Sequence, residues 1–114
     1  MFNRGAFLFS ILKGTEEAYD RADVEIWPEL AAAILDSGYR NYSLFRRGTE
    51  VICSCECVPS IFEAQKKMME NYSPLIARWN IKMEKMITKM HDDKGNLFTY
   101  DLIWHLDIDT GESL

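Results

Sequence analysis

Apolar and polar positions along the chain predict alternating strands and helices, beginning with a strand. Residues 6–12 form a short run rich in aromatic and branched side chains, which is typical of a strand. Thr15 is expected to be the N-cap of a first helix that extends to about Glu25. A second helix is predicted over residues 28–37, because Pro28 suits a first helical turn and Gly38 follows the last one.

The second half of the chain predicts a hairpin, two helical segments and a final strand. The hairpin turns at Gly48, between two strand-like runs. Ser73 and Pro74 interrupt the next helical pattern and suit the start of a new segment. In order, the elements are strands at 40–46 and 50–58, a helix over 61–72, a helix from 73 to 90, a polar loop over 91–96, a strand over 97–107 and a loose tail over 108–114.

The order of elements, β-α-β-β-α-β, predicts a ferredoxin-like α+β fold with a four-stranded antiparallel sheet and helices on one face. The first strand is apolar on both faces, since Phe7 and Phe9 alternate with Ala6 and Leu8. The final strand also carries apolar residues on both faces, and helices on one face cannot cover the other. An exposed apolar sheet face usually marks an interface or a ligand pocket. We therefore expect a homodimer that packs sheet to sheet.

Composition narrows the class of protein. The 114 residues are expected to form a single domain over residues 1–114, with 47% hydrophobic and 27% charged residues. A net charge of −5 with scattered basic residues argues against a nucleic-acid partner. No apolar run approaches the roughly 20 residues of a membrane span, and the N-terminal run lacks a signal-peptide cleavage pattern. These features predict a cytoplasmic protein with no membrane partner.

Three cysteines, Cys53, Cys55 and Cys57, alternate along the second strand of the hairpin. In a strand they share one face at a spacing of about 6.6 Å, whereas zinc motifs use turn-type spacings that let the sulfurs converge. The isolated His91 and His105 supply no second ligand cluster. An odd number of cysteines fits a reducing compartment. We expect these thiols to pack in the core and to bind no metal.

The most informative stripe of the sequence lies on the first helix. Tyr19, Asp23 and Trp27 fall on one face at helical spacing. Burial of an unpaired carboxylate is costly and raises its pKa, so an acid between two aromatic residues predicts a pocket with a titratable group. The alternative is that Asp23 is solvated at a rim near the break that Pro28 imposes.

The motifs around this stripe resemble the L-rhamnose mutarotase family. The most specific is Ile-Trp-Pro-Glu-Leu at residues 26–30, supported by Asn41-Tyr42 in the second strand and Arg78-Trp79 in the last helix. The resemblance covers about residues 4–107. It implies a dimeric α+β barrel of the ferredoxin-like kind, and an isomerase that interconverts the anomers of L-rhamnose without a cofactor.

Carried over by motif, the resemblance implies that Tyr19, Tyr42 and Trp79 contact the sugar. Asp23 stands where the family has a histidine regarded as the proton donor, and Asn80 replaces the second tryptophan of an Arg-Trp-Trp triplet. Asp23 is therefore the candidate catalytic residue, and Asn80 is a further candidate for sugar binding. The reaction needs a proton at the ring oxygen and loss of one from the anomeric hydroxyl, which a general acid and a general base supply.

Each candidate also has a structural interpretation. Trp79 lies on a stripe of methionines that is typical of a core, and Trp27 suits packing at the helix break. His105 suits a structural role, or it replaces the family histidine if it faces the pocket. Two other functions remain open: a non-catalytic sugar- or partner-binding member of the fold, and a dimeric α+β barrel enzyme that acts on another small molecule through His105.

Overall fold

The computed structural model describes residues 3–58, 60–106 and 111, which form one sheet covered by helices. The strands are β1 (Asn3–Ile11), β2 (Tyr39–Arg47), β3 (Glu50–Cys57), β4 (Ile87–Lys89) and β5 (Phe98–Tyr100). The helices are α1 (Glu16–Val24), α2 (Pro28–Asp36) and α3 (Ile61–Met83). Within these residues, no helix combines the length and the apolar character that crossing a membrane requires.

The sheet is antiparallel and has the strand order β2-β3-β1-β4, with β5 also paired to β1. β4 pairs with Ser10 and Ile11, and β5 pairs with Ala6 to Leu8, so the two short strands divide one edge of β1 between them. The predicted ferredoxin-like α+β class is confirmed. β4 and β5 together take the place beside β1 that a single fourth strand was expected to fill.

A β-bulge in β2 decides which side chains face the helices. Asn41 adopts a φ of 50°, and the pairing with β3 shifts between Arg40 and Ser43. Asparagine tolerates this left-handed conformation better than most residues, and its side chain donates to Glu56 Oε1 at 2.7 Å. The extra residue resets the alternation of the strand. Tyr39 and Tyr42 therefore lie on the same face, with ring centroids 5.3 Å apart.

The interruption predicted at Ser73 and Pro74 is a kink inside one helix. Tyr72 departs from helical geometry (φ −129°, ψ 24°), but the helix continues on both sides of it, so α3 covers both predicted segments. Proline lacks an N–H and its ring clashes with the carbonyl four residues earlier, which explains the bend.

The predicted extension of this helix to Met90 is wrong. α3 ends at Met83, and Met86 then accepts a hydrogen bond from the Leu12 N–H at 2.6 Å. Ile87 continues as the partner of Ile11 in β4. Pairing overrides the helical spacing of the methionines, because it gives hydrogen-bond partners to backbone groups on the edge of β1.

The predicted final strand over 97–107 is also too long. Only Phe98–Tyr100 forms a strand, and residues 101–105 leave the edge of β1 without regular structure. The pairing of β5 runs from Leu8 to Ala6 and stops there, toward the end of β1 that lies away from β4. The predicted strand end at 107 and most of the tail over 108–114 lie outside the described residues.

The three cysteines are buried on the face of β3 that the helices cover, and they are free thiols, as expected for core packing. The expected separation of their sulfurs is wrong for one pair: the Sγ atoms of Cys55 and Cys57 lie 3.4 Å apart and share a weak hydrogen bond. Burial raises the pKa of Cys57 to about 12. Within the described residues, no three His, Cys, Asp or Glu side chains are grouped to hold a metal ion.

Candidate active site

A cavity of about 100 Å³ lies between the covered face of the sheet and the helices. Four residues singled out from the sequence line it together, namely Tyr19, Asp23, Tyr42 and Trp79. The rest of the lining is apolar and comes mainly from β1, α2 and the end of α3. The volume is below the roughly 300–1,000 Å³ of most ligand pockets. The cavity therefore has room only for a small molecule or for part of one.

Asp23 is half-buried in the wall of this cavity, near the C-terminal end of α1. Burial raises the pKa of its carboxyl group, and the nearby charge of Asp20 acts in the same direction. A hydrogen bond from Tyr19 partly offsets these effects on the pKa. The structure thus places an acid with enhanced proton affinity against an aromatic wall, and does not place it at a fully solvated rim.

Tyr19 is only 3% exposed and packs edge-on against Phe9, with ring centroids 5.9 Å apart. Burial raises the pKa of its hydroxyl, as does the hydrogen bond to Asp23. Tyr19 therefore stays a neutral hydrogen-bond donor that orients the carboxylate four residues later on the same helical face.

Tyr42 enters the cavity from β2 because of the bulge at Asn41. Tyr42 as a whole is 37% exposed, while its hydroxyl is buried and shares a hydrogen bond with Cys53. Burial raises the pKa of this hydroxyl well above its ordinary value. Tyr42 is thus a neutral phenol that offers an aromatic surface and a weakly acidic proton.

Trp79 lines the cavity from α3, and Trp27 supports it from outside. The two indole rings meet edge to face with centroids 5.0 Å apart, and Trp27 does not line the cavity. The Lys82 ammonium lies 5.6 Å from the Trp27 ring and 5.3 Å from the Trp79 ring. This places Trp27 in the packing role at the helix break, where it is the N-cap residue of α2.

Two sequence candidates lie away from this group. Asn80 follows Trp79 on α3 but is exposed and does not line the cavity. His105 belongs to the segment after β5 and lines none of the cavities near Asp23. Its Nε2 atom is buried without a hydrogen-bond partner among the described residues. The preceding residues, 101–104, lie beside Ala6 and Ser54 on the sheet face away from the helices.

The structure adds two residues that sequence reasoning left out of the site. Arg46 and Asp20 form an ion pair beside Asp23, between β2 and α1. Tyr42, Leu44 and Arg46 are spaced two residues apart along β2, and side chains at this spacing share one face of a strand. The sequence could therefore have placed Arg46 on the same face as Tyr42. Its partner is 26 residues away along the chain, and sequence spacing does not indicate that contact.

A wider groove of about 790 Å³ lies between α3 and the β1–β5 edge. Its lining mixes Arg4 and Lys66 with Asp92 and Asp101, and it holds none of the candidate site residues. Size alone does not make it the active site, because the grouped aromatic residues and the acid with a raised pKa line the smaller cavity.

Comparison with known proteins identifies the family of this chain. A family model described as L-rhamnose mutarotase matches residues 4–106. An L-rhamnose mutarotase from Flavobacterium johnsoniae is 27% identical over 105 residues, covering 91% of this chain and 95% of the relative. One from Phocaeicola vulgatus is 25% identical over 105 residues, covering 91% and 98%.

The fold has a solved counterpart. A crystal structure of an L-rhamnose mutarotase from Formosa agariphila matches with a TM-score of 0.65 at 16% identity, covering 92% of this chain and 99% of that chain. This likeness concerns the fold, whereas the family model spans almost the whole sequence. The chain therefore belongs to the L-rhamnose mutarotase family and is an isomerase of the mutarotase type.

Proposed function

We propose that this protein interconverts the α and β anomers of L-rhamnose, or of a closely related deoxy-sugar, by proton transfer at Asp23 and without a cofactor. The observation that carries the proposal is the half-buried Asp23 carboxyl, whose pKa burial raises, in a cavity shared with Tyr19, Tyr42 and Trp79. The names of the two relatives support the choice of L-rhamnose.

The reaction requires two proton transfers, one to the ring oxygen and one from the hydroxyl oxygen that is bonded to the same anomeric carbon. During ring opening the ring oxygen gains a proton, its bond to the anomeric carbon breaks, and the anomeric hydroxyl loses its proton to become an aldehyde oxygen. Rotation about the neighbouring C–C bond and the reverse steps close the ring on the other face. One neutral carboxyl group supplies both movements, because its O–H donates while its second oxygen accepts.

In this mechanism the raised pKa of Asp23 increases the fraction of the carboxyl group that carries the proton to be transferred. Its first cause is burial, which favours the neutral carboxyl that the relay uses. Tyr19 holds the group in place, and the Tyr42 phenol or a bound water is the alternative donor. The ring surface of Trp79 suits the apolar C–H face of a deoxy-sugar.

Saturation-transfer proton NMR between the two anomeric signals tests the activity. L-rhamnose, L-fucose and D-glucose are compared with and without protein, before and after dialysis against a chelator. We expect anomer exchange that increases in proportion to protein concentration, is fastest for a deoxy-sugar and survives dialysis. Loss of exchange on dialysis with recovery on adding a metal would contradict cofactor independence.

The alternative, a sugar-binding member without turnover, has one observation in its favour: Asp23 and the exposed Asn80 differ from the family pattern at two positions. Tryptophan fluorescence that responds to millimolar sugar, with no anomer exchange for any sugar tested, would support this alternative and overturn the catalytic proposal.

We also propose that the protein works as a homodimer joined through the sheet face away from the helices. Phe45, Ile52, Leu8 and Phe98 lie opposite one another in register, and they form an apolar row across β2, β3, β1 and β5. Phe45 is 62% exposed and Ile52 is 37% exposed. An apolar row this long on one chain favours burial against a second copy.

Sedimentation equilibrium at micromolar concentration is expected to give about twice the 13.3 kDa chain mass. Ile52→Lys places a charge in the middle of the apolar row, so we expect this variant to sediment as a monomer. Leu35→Lys is the matched control, because Leu35 is an exposed apolar residue on α2, and it should remain a dimer. A monomeric wild type, or a dimeric Ile52→Lys variant, would show that this face is not the interface.

A further inference from the structure

Asp23 lies between two cavities. On one side is the aromatic cavity described above, and on the other is a side cavity of about 190 Å³ between α1 and β2. Tyr19, Asp23 and Leu44 line both, so they form the partition between them. The carboxyl group is thus accessible from a direction that a sugar in the aromatic cavity does not occupy.

The Arg46–Asp20 ion pair forms part of the side cavity's wall. Arg46 Nε and Nη2 donate to the two oxygens of Asp20, each at 2.7 Å, and Nη1 donates to the Gly48 carbonyl at 3.0 Å. Two parallel charge-assisted bonds define the relative position of both side chains. The side chains are 28% and 48% exposed, so the pair lies partly open to solvent.

We propose that the Arg46–Asp20 pair is a positioning element of the active site, which holds α1 against β2 along the side cavity and balances the charges that Asp23 faces. The kinetic part of this inference rests on the proposed function, but the electrostatic part does not. The side cavity is then the route by which Asp23 exchanges its proton with solvent while the aromatic cavity is occupied.

Few charged or titratable side chains line the two cavities that Asp23 faces. Besides Asp23 itself, the charged or titratable residues lining the two cavities are Tyr19 and Asp20 from α1 and Tyr42 and Arg46 from β2. The lining from β1, β3, α2, α3 and β4 is apolar, and Cys53 of β3 contacts the Tyr42 hydroxyl.

Since both tyrosines are neutral, the field at Asp23 depends chiefly on the two members of the ion pair. Asp20, on the same helix as Asp23, raises the pKa of the Asp23 carboxyl, and the Arg46 cation bonded to Asp20 opposes that effect in part. The Arg46 hydrogen bonds also lower the pKa of Asp20, which keeps Asp20 ionised and the pair intact at neutral pH.

Removing Asp20 and removing Arg46 should therefore shift the pKa of Asp23 in opposite directions. Asp20→Asn leaves the Arg46 cation unbalanced, which favours the ionised carboxylate and lowers the pKa of Asp23. Arg46→Gln leaves the Asp20 anion unbalanced, which favours the neutral acid and raises the pKa of Asp23. The double variant, Asp20→Asn with Arg46→Gln, removes both charges and should place the pKa of Asp23 between those of the two single variants. If the pair acted only by holding α1 in place, and not through its charges, the pKa of Asp23 would shift in the same direction in all three variants.

The titration of Asp23 is measured directly by carboxyl carbon-13 NMR of aspartate-labelled protein, without any reference to activity. The pH profile of anomer exchange is measured on the same samples. We expect the Asp23 titration midpoint and the falling limb of the rate to move together, to lower pH in Asp20→Asn and to higher pH in Arg46→Gln. At a pH on that limb, the rate should change on the order of threefold in each direction.

Arg21→Gln is the matched control. Arg21 forms a 3.7 Å ion pair with Glu17 on α1, with side chains 68% and 91% exposed, and it lines neither cavity. This variant should leave the midpoint unchanged.

The outcomes separate the two proposals. Opposite midpoint shifts without any anomer exchange would support the charge balance and contradict the proposed function. Unchanged midpoints, or shifts in one direction for both single variants, would overturn this inference even if the protein exchanges anomers.

Discussion

Asp23→Asn is expected to slow anomer exchange by at least about tenfold, since a positioned acid or base typically contributes roughly 10²–10⁴-fold to a rate. Asparagine keeps the shape of the side chain and can still accept the hydrogen bond from Tyr19, but it cannot release or take up a proton. Exchange rates from saturation-transfer NMR, with circular dichroism to confirm folding, provide the measurement.

Glu25→Gln is the control for this change, because it removes a carboxylate two residues away whose side chain is exposed and does not line the cavity. It should leave the rate within a factor of about two, since exposed charges are screened. Wild-type exchange in Asp23→Asn would exclude Asp23 as the proton-transfer group and make Tyr42, which lines the same cavity, the next residue to test. Asp23→His should retain or raise the rate near neutral pH, because imidazole titrates there without burial.

The same substitution to asparagine should stabilise the fold at neutral pH. The pKa of Asp23 is raised in the folded protein by burial, so between its ordinary value and the folded value the folded state binds more protons than the unfolded state. The free energy of unfolding contributed by this group therefore falls as pH rises through that window. Asp23→Asn lacks this loss, and its thermal midpoint should exceed that of the wild type at pH 7 and approach it in acid.

Trp79→Ala should weaken sugar binding by roughly tenfold or more, equivalent to about 1.4 kcal/mol. The alanine removes the indole surface from the cavity wall and leaves Trp27 without its edge-to-face partner. Fluorescence titration with millimolar L-rhamnose, followed through the remaining tryptophans, gives the affinity. Thermal unfolding on the same sample shows how much packing is lost.

Trp79→Phe is the matched variant, because it keeps an aromatic surface while removing the indole N–H. It should retain most of the affinity if the ring face is what the sugar contacts. Equal binding by Trp79→Ala and wild type would remove Trp79 from the binding surface and leave it as a core residue of α3.

The sequence predicted the local features of the site because they depend on short-range geometry. Tyr19 and Asp23 are four residues apart, so helical periodicity alone brings them to one face, and the structure places both in one cavity. The helix break at Pro28 and the hairpin at Gly48 were predictable for the same reason. The order of these elements, in turn, limited the fold to the ferredoxin-like class.

Features that depend on competition between distant segments could not be predicted in this way. Helical spacing of methionines favoured a helix to Met90, but the open edge of β1 takes Ile87–Lys89 as a strand. The two short strands that share this edge likewise replaced the single long strand expected after residue 97. Backbone groups on a sheet edge need partners, and which segment supplies them depends on the assembled fold.

What the sequence by itself determined is therefore the set of elements, their order and the stripe that carries the acid. Only the tertiary structure decided that the bulge at Asn41 turns Tyr42 into the cavity, that Asn80 stays outside it, and that Arg46 meets Asp20 beside Asp23. The period of 3.6 residues in a helix and of two residues in a strand is a property of the local backbone, so it can be read from neighbouring residues. A contact across 26 residues exists only once α1 has packed on β2, because packing brings the two side chains within bonding distance.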